Sequence, residues 1–468
     1  MDYKNTSLWF DTLEQQPQKR DPLVSDIDVD VAIIGAGFTG LWAAYYLKKH
    51  RPELNIAVLE SEVAGYGASG CNGGWVAGLI AGFDKYVAPL SESKRAQCCR
   101  MLFDNIDEIE AVLTKEGINA DFNKSGVIYA AARYPEQVRL QQKQLKQYYD
   151  SGHTEKDCYW LDAQQLNEKV RLRNGLGAIY KPHCATVNPL SIVCGLAQVL
   201  EKMGVVIYEK TRALSIKPRK VVTENAVVQA TTIIPALEGY SSSLAGFDHN
   251  IIAVQSLIIA TQPLSDSLWD EIGLDNREAF SEGSRMVSYG QRSADGRMIF
   301  GARGGYNYGG KPHGEFSLND QPFRIRETLM RDLFPMLDTV EVTHGWGGSL
   351  GMARNFAPHV IYDLQTGIAT AGGYGGQGVA AAHLFARTLA DLILNRETQF
   401  TQMPWVFKHP TAKSALKTWE PEPFRWLTSK AITQAYTAEE NLYQRQTGPT
   451  IGKTVANHVS NALSLLMR

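Results

Sequence analysis

Gly35, Gly37 and Gly40 fall at the spacing G-x-G-x-x-G, and Glu60 follows about 20 residues later. Each residue type has a chemical reason. Gly35 permits a tight turn, Gly37 leaves bare backbone for a diphosphate to lie against, and Gly40 lets a helix and a strand pack closely. A diphosphate placed there meets the unpaired N–H groups of a helix start, with Phe38 and Thr39 in its first turn. The Glu60 carboxylate can accept hydrogen bonds from both hydroxyls of an adenosine ribose. This set binds a dinucleotide.

The elements that must position it are legible. Asp28 to Ile34 reads as a buried strand, Leu41 to His50 as a helix, and Asn55 to Leu59 as a second strand closing on Glu60. A second glycine cluster, Gly65 to Gly78, is too rich in glycine for a simple helix. Glu92 to Glu116 reads as helix, Gly126 to Ala132 as strand, and Glu136 to Tyr149 as a Gln-rich surface helix. Asn188 caps a further helix with Pro189 in its first turn, ending at Met203-Gly204. Val205 to Glu209, Lys220 to Thr223 and Ala226 to Ile234 are strand-like. Ile251 to Ile259 and Arg297 to Ala302 suggest a separate antiparallel sheet. Thr366 to Leu394 returns to strand, glycine turn and long apolar helix. The expected fold class is α/β: a discontinuous Rossmann-type nucleotide domain (residues 28–95, 175–250 and 343–400), a β-sheet-based substrate domain (96–174 and 251–342) and a helical C-terminal tail (401–468).

Composition narrows the function. The 468 residues are 44% apolar and 21% charged with net charge -2, ordinary for a globular enzyme and without an electrostatic footprint for nucleic acid. The six cysteines show no C-x-x-C spacing or partnering His cluster, so no metal is expected, and reduced thiols point to the cytoplasm. The first 20 residues are polar, without a signal-peptide core, and no apolar run reaches the roughly 18 residues of a spanning helix. Val455, Val459, Leu463 and Leu466 form a narrow apolar stripe, read as packing on the body or a partner subunit in preference to a membrane surface. The oligomeric state is left open.

Two features favour FAD over a nicotinamide. Glu60 leads into a long glycine loop where a plain second helix would otherwise follow. A late turn, Gly372 to Val379, can bring another helix N-terminus to the cofactor, where it stabilises the negative charge of a reduced flavin.

The ordered series GAGFTG, E-x-x-x-x-G-x-GASG-x-NGG, VNP and GYGGQGVA resembles the D-amino-acid-oxidase-type superfamily of FAD-dependent amine oxidases, from residue 28 to about 396. Within it, GASG-x-NGGW, WGGSLG and the Trp419-Glu-Pro-Glu-Pro tail are most similar to γ-glutamylputrescine oxidase-like proteins and an aminophosphonate oxidoreductase group. The resemblance implies tightly bound FAD contacted by Gly67, Ala68, Ser69 and Asn72, and by Gly73, Gly74 and Trp75; with Cys71 the one Cys or His near a usual attachment point, non-covalent binding is expected. It also implies contacts from Ala213 and Gly348, and from Gly373, Gly375, Gly376, Gln377, Gly378 and Val379 of the late turn. The implied chemistry is oxidation of an amine C–N bond by hydride transfer to flavin N5, with imine hydrolysis and return of the electrons to O2, giving peroxide, or to another acceptor.

This chain also departs from its wider family. Relatives that oxidise sarcosine carry a Lys where this chain has Ala380, and D-amino-acid oxidases carry an Arg where it has Gly345-Trp-Gly-Gly348. The usual Arg of the glycine loop is Cys71, and the strand end often written Ala-Thr is Pro235-Ala236. Loss of the α-carboxylate grips turns attention to Arg303 and Arg354, whose planar guanidinium forks suit phosphonate or carboxylate. For Arg354 a structural salt bridge competes with that role. Trp346 and Tyr374 either wall the flavin ring or pack in the core, and Tyr306 lies on a glycine-rich loop that suits a lid. His313 and His344 read as structural. The expected substrate is an aminophosphonate such as 2-aminoethylphosphonate or its N-methyl form. The alternatives are a γ-glutamylputrescine-like amine or, from another class, a flavin-binding RNA-modification or redox subunit.

Overall fold

A computed structural model describes residues 3–13, 19–244, 250–285, 287–314, 316–407, 416–444 and 450–465, with the side chains of 303, 450, 451, 464 and 465 outside the description. Two large sheets organise the chain. The first has nine strands, and its centre is a parallel set in the order Val227–Pro235, Ile27–Ile34, Ile56–Leu59, Val206–Tyr208. The last four residues of Ile27–Ile34 and all of Ile56–Leu59 are buried, as strands covered on both faces must be. The antiparallel strand pair Ile368–Gly372 and His359–Asp363 extends this sheet beyond Val227–Pro235.

Two helices leave the carboxyl edge of that sheet, Phe38–His50 and Gly378–Ile393. They are pinned together by a buried knot. His383 lies edge-on to Trp42 at 4.6 Å, and its ring nitrogens meet the Tyr46 hydroxyl at 2.7 Å and Asn105 Oδ1 at 2.6 Å. Burial pushes the His383 ring down to about 3, so it is neutral at physiological pH.

The second sheet has eight strands, in the order Val342–Ala353, Ile251–Thr261, Met298–Gly305, Ser288–Arg292, Ala279–Glu282, Val127–Ala131, Gly177–Lys181, Tyr159–Leu161. Three segments pack with a different sheet from the one the expected division suggests. Residues 343–353 of Val342–Ala353, and Gly177–Lys181, placed by sequence in the nucleotide domain, lie in strands of this second sheet. Helix Glu92–Glu116, mostly assigned to the substrate domain, buries Ile106, Ile109 and Leu113 in the core of the first. Periodicity shows that these segments have an apolar face but not which sheet receives it. The cap at Asn188 is as expected, with its side chain accepting the Ser191 N–H at 3.2 Å.

The tail contains helices Phe424–Gln444 and Thr450–Leu465. Its final helix turns polar groups inward: Ser460 is buried and donates to the Ala435 carbonyl, and Lys453 pairs with Glu136. Val455 and Val459 are exposed and Leu463 is half-buried, so most of the described stripe does not pack on the body, one of the two expected partners; Leu466 lies outside the described residues. No described helix is long and apolar enough to cross a membrane.

Lys181, at the end of its strand, is buried without a hydrogen-bond partner for its ammonium, which lies over the Tyr148 ring at 4.0 Å. Burial lowers its pKa, so folding penalises the charged form below the ordinary value of 10.5. Lys181→Met should therefore raise unfolding free energy by about 1 kcal/mol or more at pH 7. That advantage should shrink as pH rises toward 10.5 and disappear above it, where the lysine is neutral folded or unfolded. Urea melts of both proteins at pH 7 and 10 check this, and a constant difference would contradict it.

Candidate functional site

A cavity of about 580 Å³ opens at the carboxyl edge of the first sheet. At one end it is walled by Glu60, Lys210, Arg212 and Ala213, in the middle by Gly35, Gly37, Thr39 and Ser69, and at the other end by Leu350, Tyr374, Gly376 and Val379. This is the crevice in which open parallel sheets hold nucleotides.

The glycine requirements are visible. Gly35 has φ +105°, and a Cβ there would lie 2.8 Å from the Ala236 carbonyl oxygen. A Cβ on Gly40 would lie 2.1 Å from the Gly35 carbonyl oxygen, so only glycine lets the helix start this close to the strand. Gly40 itself does not line the cavity; its role is packing. The Phe38 N–H donates to Ser69 Oγ at 2.9 Å, joining the first turn to the second glycine loop. Asn72 staples that loop from within, donating to the Ala68 and Ser69 carbonyls and accepting the Gly74 N–H at 2.7 Å.

Glu60 sits at the end of Ile56–Leu59, accepting the N–H groups of Ala36 at 2.8 Å and Glu62 at 2.9 Å. Burial raises its carboxyl pKa, and these donors oppose the rise. The bare glycine cradle, the helix start and the carboxylate beyond it fit the diphosphate and ribose of FAD. The late turn supplies a second helix start: Gly376, Gly378 and Val379 line the cavity, while Gln377 precedes the helix and Gly375 donates its N–H to the Gly351 carbonyl. Phe38, Gly67, Ala68 and Asn72 also line it.

Other expected contacts lie around this cavity as a supporting layer. Gly348 packs against Ala68 and Cys71, while Gly73 and Gly74 pack against Tyr289, Val187 and Gln291. Trp75 meets the Tyr289 ring edge-on at 5.7 Å. Gly373 gives its N–H to Glu238.

The expected substrate residues divide. Tyr374 lines the cavity, and its hydroxyl meets Thr39 Oγ1 at 2.9 Å, joining the two glycine turns. Trp346 does not wall the cavity; it is buried against Trp9, Cys71 and Ile258 in a separate cluster. Trp346 and Leu350, four residues apart, share one face of the strand; Leu350 reaches the cavity, whereas Trp346 lies nearer the strand's start, against the amino-terminal segment. Arg354 is engaged by Glu420 at 2.7 Å and lies over the Trp419 ring at 5.2 Å, so the salt bridge prevails over substrate contact. Tyr306 is held by the same tail: its hydroxyl donates to Glu422, which also accepts the Gly309 N–H at 3.0 Å. The loop is strapped down, contrary to the expectation of a free lid. The backbone of Arg303 pairs with Ser256, and Ser256 with Gly348, placing all three in one row beside the cavity wall; the Arg303 side chain lies outside the description.

Sequence reasoning missed Lys210, Arg212 and Glu238. The first two follow the strand beside Glu60, a neighbourhood that only the strand order reveals. Glu238 follows the strand end Pro235-Ala236, where its left-handed φ of +46° carries it into the cavity. Its two carboxylate oxygens accept the Gly373 and Tyr374 N–H groups, each at 2.9 Å.

Fold and site together define a flavin-dependent oxidoreductase of two intertwined sheets. The match to the family model described as FAD dependent oxidoreductase, over residues 30–392, shows that the chain belongs to that family. It is 28% identical to a probable oxidoreductase OrdL of Haemophilus influenzae, covering 84% of this chain and 89% of that one. It is 25% identical to a γ-glutamylputrescine oxidoreductase of Escherichia coli, covering 85% and 91%. Glycine oxidase from Geobacillus kaustophilus shares the fold at a TM-score of 0.66 and 18% identity, covering 81% and 98%.

Two predictions follow from this geometry. Glu60→Ala should weaken FAD retention by about 1.5–3 kcal/mol, the loss of hydrogen bonds to a charged group; full flavin content after dialysis would refute the ribose contact. Cys71 is buried, and its thiol is pushed up to about 12 by burial, so it remains protonated and unreactive. Acid precipitation should leave the yellow colour in the supernatant. A yellow pellet that disappears in Cys71→Ser would show a covalent bond instead.

Proposed function

We propose that this chain oxidises the C–N bond of an amine bearing a remote anionic group, with an aminophosphonate such as 2-aminoethylphosphonate or its N-methyl form as the first candidate. The supporting observation is the row Arg303–Ser256–Gly348, one residue from the cavity-lining pair Ser349 and Leu350. A guanidinium can meet an anion bidentately, and a buried phosphonate or carboxylate requires a charged partner. The α-carboxylate grips of other branches are occupied differently here. Ala380 is buried, its carbonyl accepting Asn105 Nδ2 at 2.9 Å, and Gly347 packs against Leu257.

The residues divide the work by position. Glu60 and the turn at Gly35–Gly37 would hold the adenosine half, and the helix start at Gly378 would meet the flavin half. Bound flavin supplies the hydride acceptor. The protein orients the substrate and excludes water; Tyr374 and Leu350 close the inner end, and Glu422 fixes the loop that follows Arg303. A neutral amine needs no strong base, and the described wall contains no histidine. A second reading, a γ-glutamylputrescine-like amine, is supported by the relative of that name.

Arg303→Ala should raise KM for 2-aminoethylphosphonate by a factor corresponding to about 2–5 kcal/mol, with flavin spectra unchanged. An uncharged amine of similar length should lose little. Steady-state peroxide release on both substrates, alongside a γ-glutamyl amine and a dye acceptor in place of O2, tests the assignment. Equal losses on charged and neutral amines would refute Arg303 as the anion grip.

A further inference from the structure

Glu238 is the one acidic side chain of the cavity that grips the late glycine turn. Its oxygens accept the Gly373 and Tyr374 N–H groups, and its carboxylate fills the space that a Cβ on Gly351 would take, closing at 2.2 Å. A left-handed, non-glycine backbone places it there, a conformation that costs free energy and persists only where the surroundings over-determine it. Yet the cavity it lines is built for a doubly negative diphosphate, cradled at Gly35, Gly37 and Thr39. A carboxylate and a diphosphate in one low-dielectric cavity repel each other.

We propose that Glu238 is a positioning residue for the dinucleotide that holds the late glycine turn and takes up a proton as FAD binds. The inference rests on FAD being the cofactor. Without FAD, burial raises the carboxyl pKa to about 7, countered by its two backbone donors. The groups packed around it do not neutralise it. The Tyr374 phenol stays protonated because burial raises it, and His359, beside Gly373, is pushed down to about 4 and is neutral. Lys210 at the far end is paired with Glu62. An added anion moves the carboxyl pKa higher. Below about pH 7 Glu238 is protonated with or without FAD, and affinity is independent of its charge. Above that, binding must bring in a proton, so affinity falls by up to about tenfold per pH unit until the higher, FAD-bound pKa is reached. A carboxyl group with a purely structural role would give no such slope.

The test is FAD release from purified holoenzyme on dilution, followed by flavin fluorescence from pH 6 to 9. Wild type should show an apparent Kd that is flat below about pH 7 and rises toward tenfold per unit above it. Glu238→Gln should show a flat profile. Glu60→Gln should bind more weakly at every pH but keep the wild-type slope. A flat wild-type profile, or an undiminished slope in Glu238→Gln, would overturn the proposal. Should Glu238→Gln fail to hold flavin, proton uptake by wild type during FAD addition in weak buffer decides: close to one proton per FAD at pH 8 supports the proposal, and none refutes it. A colourless wild-type protein would refute the cofactor itself, before any slope is read.

Discussion

The structure depends on one close approach, that of the helix start at Phe38 to the end of strand Ile27–Ile34. A Cβ at Gly40 would sit 2.1 Å from the Gly35 carbonyl oxygen, so any other residue would push the helix away from the sheet. Kept close, the first turn aims its N–H groups across the sheet edge, where a diphosphate is favoured. The second helix start, at Gly378, takes its place from the first, because the buried Trp42–His383–Tyr46 knot fixes the two helices side by side. The Thr39–Tyr374 hydrogen bond repeats that tie at the cavity.

The parts of this arrangement that depend on local chemistry were legible in the sequence. The motif at Gly35, Gly37 and Gly40, the acid at Glu60, the cap at Asn188 and the late turn all encode themselves within a few residues. What was not legible depends on which surfaces meet. Trp346 is as apolar as a flavin-facing wall, but its place along the strand and the arrival of Trp9 decide what it packs against. Arg354 and Tyr306 carry the right groups for substrate binding, but Glu420 and Glu422, more than 60 and 110 residues later, take them. Strand Val342–Ala353 reads locally like its neighbours, and only pairing with Ile251–Thr261 assigns it to the second sheet. Glu238 was hidden for the same reason, since its partners Gly373 and Tyr374 are far along the chain.

The charges follow a common rule. A buried charge without a partner is costly, so most of the ionised groups here are paired: Arg20 with Glu201 and Glu209, Arg387 with Glu108, Arg354 with Glu420. Among the described residues, Lys181 has an aromatic face in place of a counter-ion and is a cost to folding, whereas Glu238 and Glu60 are held by backbone donors beside the cavity.

The strap formed by Trp419, Glu420 and Glu422 has a consequence for how the protein is made. The two helix starts of the cavity are separated by about 340 residues, and the strap comes later still. At ribosomal speeds of about 5–20 residues per second, roughly 20 to 70 s pass between the emergence of the first and of the second. Throughout that interval the Phe38–His50 helix lacks His383, the partner of Trp42 and Tyr46 in the finished knot, and the Tyr306 loop, once made, waits longer still for Glu422. The nascent chain must therefore carry an unfinished, apolar nucleotide domain until nearly its last segment is translated, a period in which chaperone protection and supply of flavin would decide the yield.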